Sequence, residues 1–216
     1  MVRGRIGLPT CKPLTDPGIA SCLTRHKNSL GFSYEENHLE EWIARQPSAL
    51  FGATPVLLLV SQNYLHLRVK IDLLFVDAKC RMYPVELKVV RVAKNGGVVP
   101  YDLYERQMKP YVEFLNATRH LGDLDRQYVS FTARFNGAAS HLVDDFATKF
   151  GQLPFDATSP ILEVYVAEDF DTYALEYFSD KSSQDGRSVR LVSYKFFPKD
   201  RYIEFWNVYQ TPEDPT

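Results

Sequence analysis

The sequence predicts an α/β protein with a mixed central sheet flanked by helices. Three observations carry that prediction. A capped amphipathic segment spans Ser33 to Gln46, three β-branched runs follow it in close succession, and helical and strand-like segments then alternate to the C-terminus. With 216 residues and 45% hydrophobic content, the chain is long enough to bury one sizeable core. The expected organisation is an irregular arm over 1–30 and a single domain over 31–210.

The elements follow in order. Residues 1–30 mix Pro, Gly, Thr and Lys without sustained periodicity. Ser33 and Glu36 then form a capping box, and Leu39, Trp42 and Ile43 recur at helical spacing before Pro47. Pro55–Ser61, Leu67–Val76 and Tyr83–Val90 read as consecutive antiparallel strands, the last two joined through Asp77, Ala78, Lys79, Cys80 and Arg81. A second capping box, Asp102 and Glu105, starts a helix to about His120, which Pro110 is expected to kink. Beyond it come a helix over His141–Phe150, a strand over Ile161–Ala167, a helix over Thr172–Phe178, and strands over Val189–Phe196 and Tyr202–Tyr209.

Composition excludes several classes. The 25 basic and 27 acidic residues leave a net charge of -2, so the chain is no polycation. Cys11, Cys22 and Cys80 are odd in number and form no C-x-x-C pair, which argues against a disulfide framework or a zinc site and for a reducing, cytoplasmic setting. His38, His66, His120 and His141 lack mutual ligand spacing. No segment approaches the roughly 18 consecutive apolar residues of a membrane span, so no membrane partner is expected.

The hairpin in the middle of the chain carries the chemistry. If its turn centres near Lys79, opposed residues sum to about 158, which sets Asp72 against Glu86 and Lys70 against Lys88 on one face. Two like charges at an opposed pair destabilise a sheet unless a cation neutralises them. Paired oxygen ligands suit a hard divalent ion, Mg²⁺ or Mn²⁺, which retains waters and activates one toward a phosphodiester. Lys88, two residues along the same face, is placed to orient that water or to stabilise phosphate charge.

Ile71-Asp72 followed by Glu86-Leu87-Lys88 resembles the D…E-x-K signature of the PD-(D/E)xK nuclease superfamily. Gln107 to Tyr111 matches the Gln-x-x-x-Tyr motif of its RecB-like branches, and Glu36 matches their additional acidic residue. The downstream order also looks like archaeal and bacterial endonucleases of that superfamily. The resemblance covers about residues 33–115 and implies a restriction-endonuclease-like core. By resemblance, Asp72, Glu86 and the Leu87 carbonyl bind the metal, Lys88 positions water, Glu36 assists metal or water, and Gln107 and Tyr111 contact the DNA backbone or orient the site. Ile71 stands where the signature has Pro, and Pro110 removes the helix bond to Arg106 beside Tyr111.

Each motif also has a structural explanation. Glu-x-Lys recurs by chance in a chain of this length, Glu36 satisfies a helix amide, and helical Tyr residues usually pack in cores. The conjunction of motifs is what favours chemistry. Between residues 62 and 110, basic residues outnumber acidic ones by nine to five, and Arg68, Lys70, Arg91 and Lys94 are candidate phosphate contacts. Asp144 to Asp185 is acidic and is not expected to face DNA. The sequence therefore points to a Mg²⁺- or Mn²⁺-dependent deoxyribonuclease, an endonuclease in preference to an exonuclease, with DNA as partner. A homodimer is one way to cut both strands of a duplex. The rival is a catalytically inactive module on the nuclease scaffold that binds nucleic acid or protein.

Overall fold

The computed structural model describes residues 12–13, 39–41, 43–52, 56–66, 69–88, 91–92, 101–117, 124–154, 161–197 and 202–211. The fold is α/β, with a mixed central sheet flanked by helices. Its strands are β1 (Lys12–Pro13), β2 (Leu57–His66), β3 (Val69–Asp77), β4 (Met82–Leu87), β6 (Leu162–Ala167), β8 (Ser188–Phe197) and β9 (Tyr202–Gln210), in the order β1-β9-β8-β6-β4-β3-β2. β5 (Arg91–Val92) and β7 (Asp169–Phe170) form a separate parallel pair. The helices are α1 (described over 39–41 and 43–45), α2 (Ser48–Phe51), α3 (Tyr101–Ala117), α4 (Asp125–Phe135), α5 (Leu142–Phe150) and α6 (Thr172–Asp185). None of the described helices is long and apolar enough to cross a membrane. The chain divides into two compact units, one of residues 1–54, 87–104 and 164–216, the other of residues 55–86 and 105–163.

In the first unit, β8 and β9 pair antiparallel from Arg190↔Gln210 to Phe197↔Tyr202, with an irregularity between Leu191 and Val192. The leading segment, expected to be irregular, contributes β1, which adds to β9 through Lys12↔Ile203 and Pro13↔Tyr202. Arg190 ties α2 down. Its Nη2 donates to the Leu50 carbonyl at 3.2 Å, its Nε donates to Asn207 Oδ1 at 2.7 Å, and its guanidinium lies 5.4 Å from the centre of the Phe51 ring. Asp171 caps α6 by accepting the Ala174 N–H at 2.7 Å, and the helix ends at Gly186, whose φ of 62° is costly for any residue with a Cβ. The expected helix ended at Phe178. Residues 179–185 continue it without an apolar period, held by helix hydrogen bonds and by Ser182, whose hydroxyl pairs with Tyr209 Oη at 2.7 Å.

In the second unit, β2, β3 and β4 form an antiparallel meander, as the sequence predicts. β3 is buried from Ile71 to Asp77, and β4 is buried throughout. Burial on both faces makes them central strands. Asp77 N–H donates to Arg81 O at 3.2 Å, so bonded pairs on this ladder recur at 75/83 and 73/85. Pro84 falls opposite Leu74, between bonded pairs, where no N–H is owed to β3.

The unit also holds α4, which the sequence reading passed over. α4 and α5 are joined by carboxylates. Asp125 Oδ1 accepts the Leu142 N–H at 2.7 Å, Asp125 Oδ2 pairs with His141 Nδ1 at 2.9 Å, and Tyr128 donates to Asp145 Oδ2 at 2.6 Å. Asp125 thus supplies the N-terminal cap that α5 does not find in its own sequence, since His141 makes no capping bond.

Candidate active site

The site begins at a turn. Asp77 closes the β3–β4 hairpin with its side chain: Oδ1 accepts the N–H groups of Lys79 and Arg81, both at 2.9 Å, and Oδ2 accepts the Tyr83 hydroxyl at 2.8 Å. Short carboxylates favour such turns because they bond backbone amides two to four residues on. Burial, reinforced by the Asp77 hydrogen bond, holds the Tyr83 phenol well above its usual pKa. Cys80 completes the turn at a φ of 59°, the left-handed conformation that closes a three-residue hairpin loop.

This turn sets the register. Val76↔Met82, Phe75↔Tyr83, Leu74↔Pro84 and Leu73↔Val85 are paired, each summing to 158. The ladder ends at Leu73↔Val85, and Asp72 and Glu86 are the next residues beyond this last pair on the two strands. Within such a ladder, facing positions alternate between bonded and non-bonded pairs, and in the non-bonded ones the Cα atoms approach to about 4.5 Å and side chains lie closest. Asp72 is 3% exposed and Glu86 2%. Both carboxylates are thus almost withdrawn from water, just beyond the last pair of the ladder.

From Glu86 the strand runs on into Leu87 and Lys88. The Lys88 amide donates to the Val166 carbonyl at 2.8 Å, which fixes the backbone, and its ammonium donates to the Leu87 carbonyl at 3.1 Å. The half-buried Lys88 thus carries its positive charge to the carbonyl that the nuclease resemblance assigns to a metal. Among the described residues, no group of three or more His, Cys, Asp or Glu side chains is placed to hold a metal ion. Two buried carboxylates are the oxygen donors that could hold an ion here, and so few suit a magnesium-like ion that keeps most of its waters rather than a closed structural site.

The remaining expected residues divide. On α3, Glu105, Met108, Tyr111 and Leu115 form the buried face, whereas Arg106, Gln107 and Pro110 are exposed. Gln107 and Tyr111 were expected on one face, but the boundary of burial falls between them. Tyr111 is fully buried, its ring centre 5.9 Å from that of Phe114, so the expected contact with a DNA backbone gives way to a core position. α3 continues unbroken through Pro110. Pro110 has no N–H to offer the Arg106 carbonyl, and both residues lie on the exposed side of the helix. The Ser33–Glu36 capping box, Arg68 and Lys94 lie outside the described residues. Lys70 and Arg91 are described in backbone only, in β3 and β5.

Buried acidic residues to which the sequence assigned no place in the site are Glu40, Glu105 and Glu163, at 0%, 9% and 2% exposure. Glu40 was legible. It follows Leu39 and lies three and four residues before the buried Ile43 and Ala44, so it occupies the inward face of α1.

No family model and no curated protein matches the sequence. Among solved structures, the chain is similar to an EndoMS–double-stranded DNA complex over 72% of its own length, at 15% identity and a TM-score of 0.38. The match spans 43% of that structure's chain, less than half its length.

Proposed function

We propose that this chain is a metal-dependent deoxyribonuclease of the PD-(D/E)xK type, acting as an endonuclease. The observation that carries the reading is the burial of Asp72 and Glu86 just beyond the last pair of the β3–β4 ladder, Leu73↔Val85, with Lys88 two residues after Glu86. Removing carboxylates from water costs several kcal/mol per ion unless positive charge offsets it. A divalent cation supplies such charge.

In this reading Asp72, Glu86 and the Leu87 carbonyl hold Mg²⁺ or Mn²⁺, which supplies charge neutralisation and a water of lowered pKa. Lys88 positions the attacking water and stabilises the charge that builds on the phosphate oxygens. Water oxygen adds to phosphorus, the P–O ester bond breaks, and the departing oxygen leaves as a hydroxyl. The excess of basic residues between positions 62 and 110 supplies attraction for a phosphate backbone. In this reading Gln107, exposed on α3, contacts DNA, and Glu36 is the residue that the resemblance would have assist the metal or water.

The test is cleavage of single-stranded, duplex and forked DNA by the wild type and by Lys88→Ala, with Mg²⁺, Mn²⁺ or EDTA, read beside DNA binding. Metal-dependent cleavage that drops by at least about a hundredfold in Lys88→Ala is expected. Tight binding without cleavage in any metal would replace this reading with the inactive nuclease-fold module, and neither binding nor cleavage would remove both.

A further inference from the structure

Beyond Lys88 the chain reaches β5, and beyond Val166 it reaches β7, all within the first unit. The two segments meet where the Lys88 amide donates to the Val166 carbonyl at 2.8 Å. They meet again three residues on, where Arg91 pairs with Asp169 and Val92 with Phe170. β5 and β7 are parallel, so both meetings keep the same step along the two segments. β7 is anchored at its C-terminal end. Phe170 is buried, and Asp171 directly after it caps α6 by accepting the Ala174 N–H at 2.7 Å.

This register sets a basic residue against an acidic one. Arg91 is one of the candidate phosphate contacts, whereas Asp169 belongs to the acidic segment that is not expected to face DNA. Ladder partners share a face on strands about 4.8 Å apart, so a positive and a negative position are adjacent here. Asp169 is exposed. Opposite charges paired in water attract weakly and are screened by salt, whereas guanidinium–phosphate contacts are charge-assisted and bidentate. A phosphate already held by neighbouring contacts therefore displaces a carboxylate more readily than a loosely held polyanion does.

We propose that Asp169 is an internal competitor for DNA at Arg91: its carboxylate offsets the Arg91 charge in the free chain and gives way to a backbone phosphate when DNA is engaged. This assignment rests on the nuclease reading and adds to it a residue that weakens loose binding near Lys88. Discrimination of that kind comes from opposing the wrong partner as well as from attracting the right one.

The test is binding of labelled single-stranded and duplex DNA, read by fluorescence anisotropy in Ca²⁺, a hard cation that suits oxygen ligands. It compares the wild type, Asp169→Asn, Arg91→Ala and the double variant. Asp185→Asn, at the exposed end of α6, controls for the loss of one negative charge. Asp169→Asn is expected to bind about two- to fivefold more tightly than the wild type at low salt, with the gain shrinking as salt rises. Asp185→Asn is expected to change binding by less than about 1.5-fold. Arg91→Ala should bind more weakly than the wild type, and adding Asp169→Asn to it should restore nothing. A carboxylate that served only to hold β5 against β7 would instead lower the urea midpoint of Asp169→Asn and leave its DNA affinity unchanged. The proposal is overturned if DNA-binding wild type and Asp169→Asn bind equally, if Asp185→Asn gives the same gain, or if the gain persists in full with Arg91→Ala. Wild type and Asp169→Asn that both bind neither form of DNA would overturn the nuclease reading itself, and this assignment with it.

Discussion

Tyr83 donates its hydroxyl to Asp77 Oδ2 at 2.8 Å, across the mouth of the β3–β4 hairpin, with both residues buried. The bond joins the residue that shapes the turn to a residue of the returning strand, so turn geometry and strand register are set together. Asp77→Ala removes the acceptor for two backbone amides as well, and is expected to cost roughly 2–4 kcal/mol. Tyr83→Phe is expected to cost about 1 kcal/mol. Because the two act on one bond, the double variant should cost little more than Asp77→Ala alone. Urea unfolding of the three variants checks this.

The same bond sets a pH dependence. Burial and Asp77 raise the folded pKa of Tyr83 above its ordinary value of 10.0, so the folded chain keeps the phenol proton that the unfolded chain releases. The associated stability is present below that ordinary value and is lost as pH rises through and beyond it. Tyr83→Phe should therefore flatten the alkaline fall in stability, a comparison read from unfolding midpoints between neutral pH and pH about 11.

Cys80 is fully buried and holds a φ of 59°. Left-handed backbone costs a residue with a Cβ about 1–2 kcal/mol, and most where the side chain is β-branched. Cys80→Gly is expected to be close to neutral, since the relieved backbone offsets the lost thiol packing. Cys80→Val should lose at least about 2 kcal/mol. In the native chain this thiol should react with an aromatic disulfide reagent only as fast as the hairpin opens, and unfolding should expose it.

Asp125 and His141 titrate as a pair at the start of α5. The hydrogen bond with His141 leads the causes that hold the Asp125 carboxyl below its ordinary pKa, and the same bond raises the His141 imidazole, with Asp144 adding to it. The stability tied to Asp125 is present above the ordinary carboxylate pKa and lost as pH falls through the lowered one. That tied to His141 is present below the ordinary imidazole pKa and lost as pH rises through the raised one. Asp125→Asn should return the His141 titration toward that of free histidine, measured by NMR of the imidazole protons. An unchanged titration would contradict the pairing.

How much of this was written in the sequence differs by element. The hairpin register was legible because β-branched alternation locates both strands, and the six residues between them leave the turn little freedom; opposed positions sum to 158 as expected. α4 was not legible. Its first residue, Asp125, reads as an ordinary polar position, yet its carboxylate reaches across to cap α5, and Leu124 before it makes no cap. The tail of α6 has no apolar period to announce it. Burial escaped the sequence most. Tyr111 and Gln107 sit four residues apart on one helix, and only packing decides that Tyr111 is in the core and Gln107 outside it. The same limit applies to Asp72 and Glu86, whose strands could be read from spacing but whose withdrawal from water could not.

That withdrawal gives the central claim its most direct measurement: thermal unfolding of the wild type and Asp72→Asn, each in EDTA and in a titration of Mn²⁺. Two buried carboxylates repel when no cation lies between them, so Asp72→Asn is expected to be the more stable chain in EDTA. Added Mn²⁺ should stabilise the wild type by roughly 1.4–2.7 kcal/mol as it passes from ten to a hundred times its dissociation constant, and should leave Asp72→Asn nearly unchanged. A wild type indifferent to Mn²⁺, or an equal response from both chains, would contradict a metal site at Asp72 and Glu86.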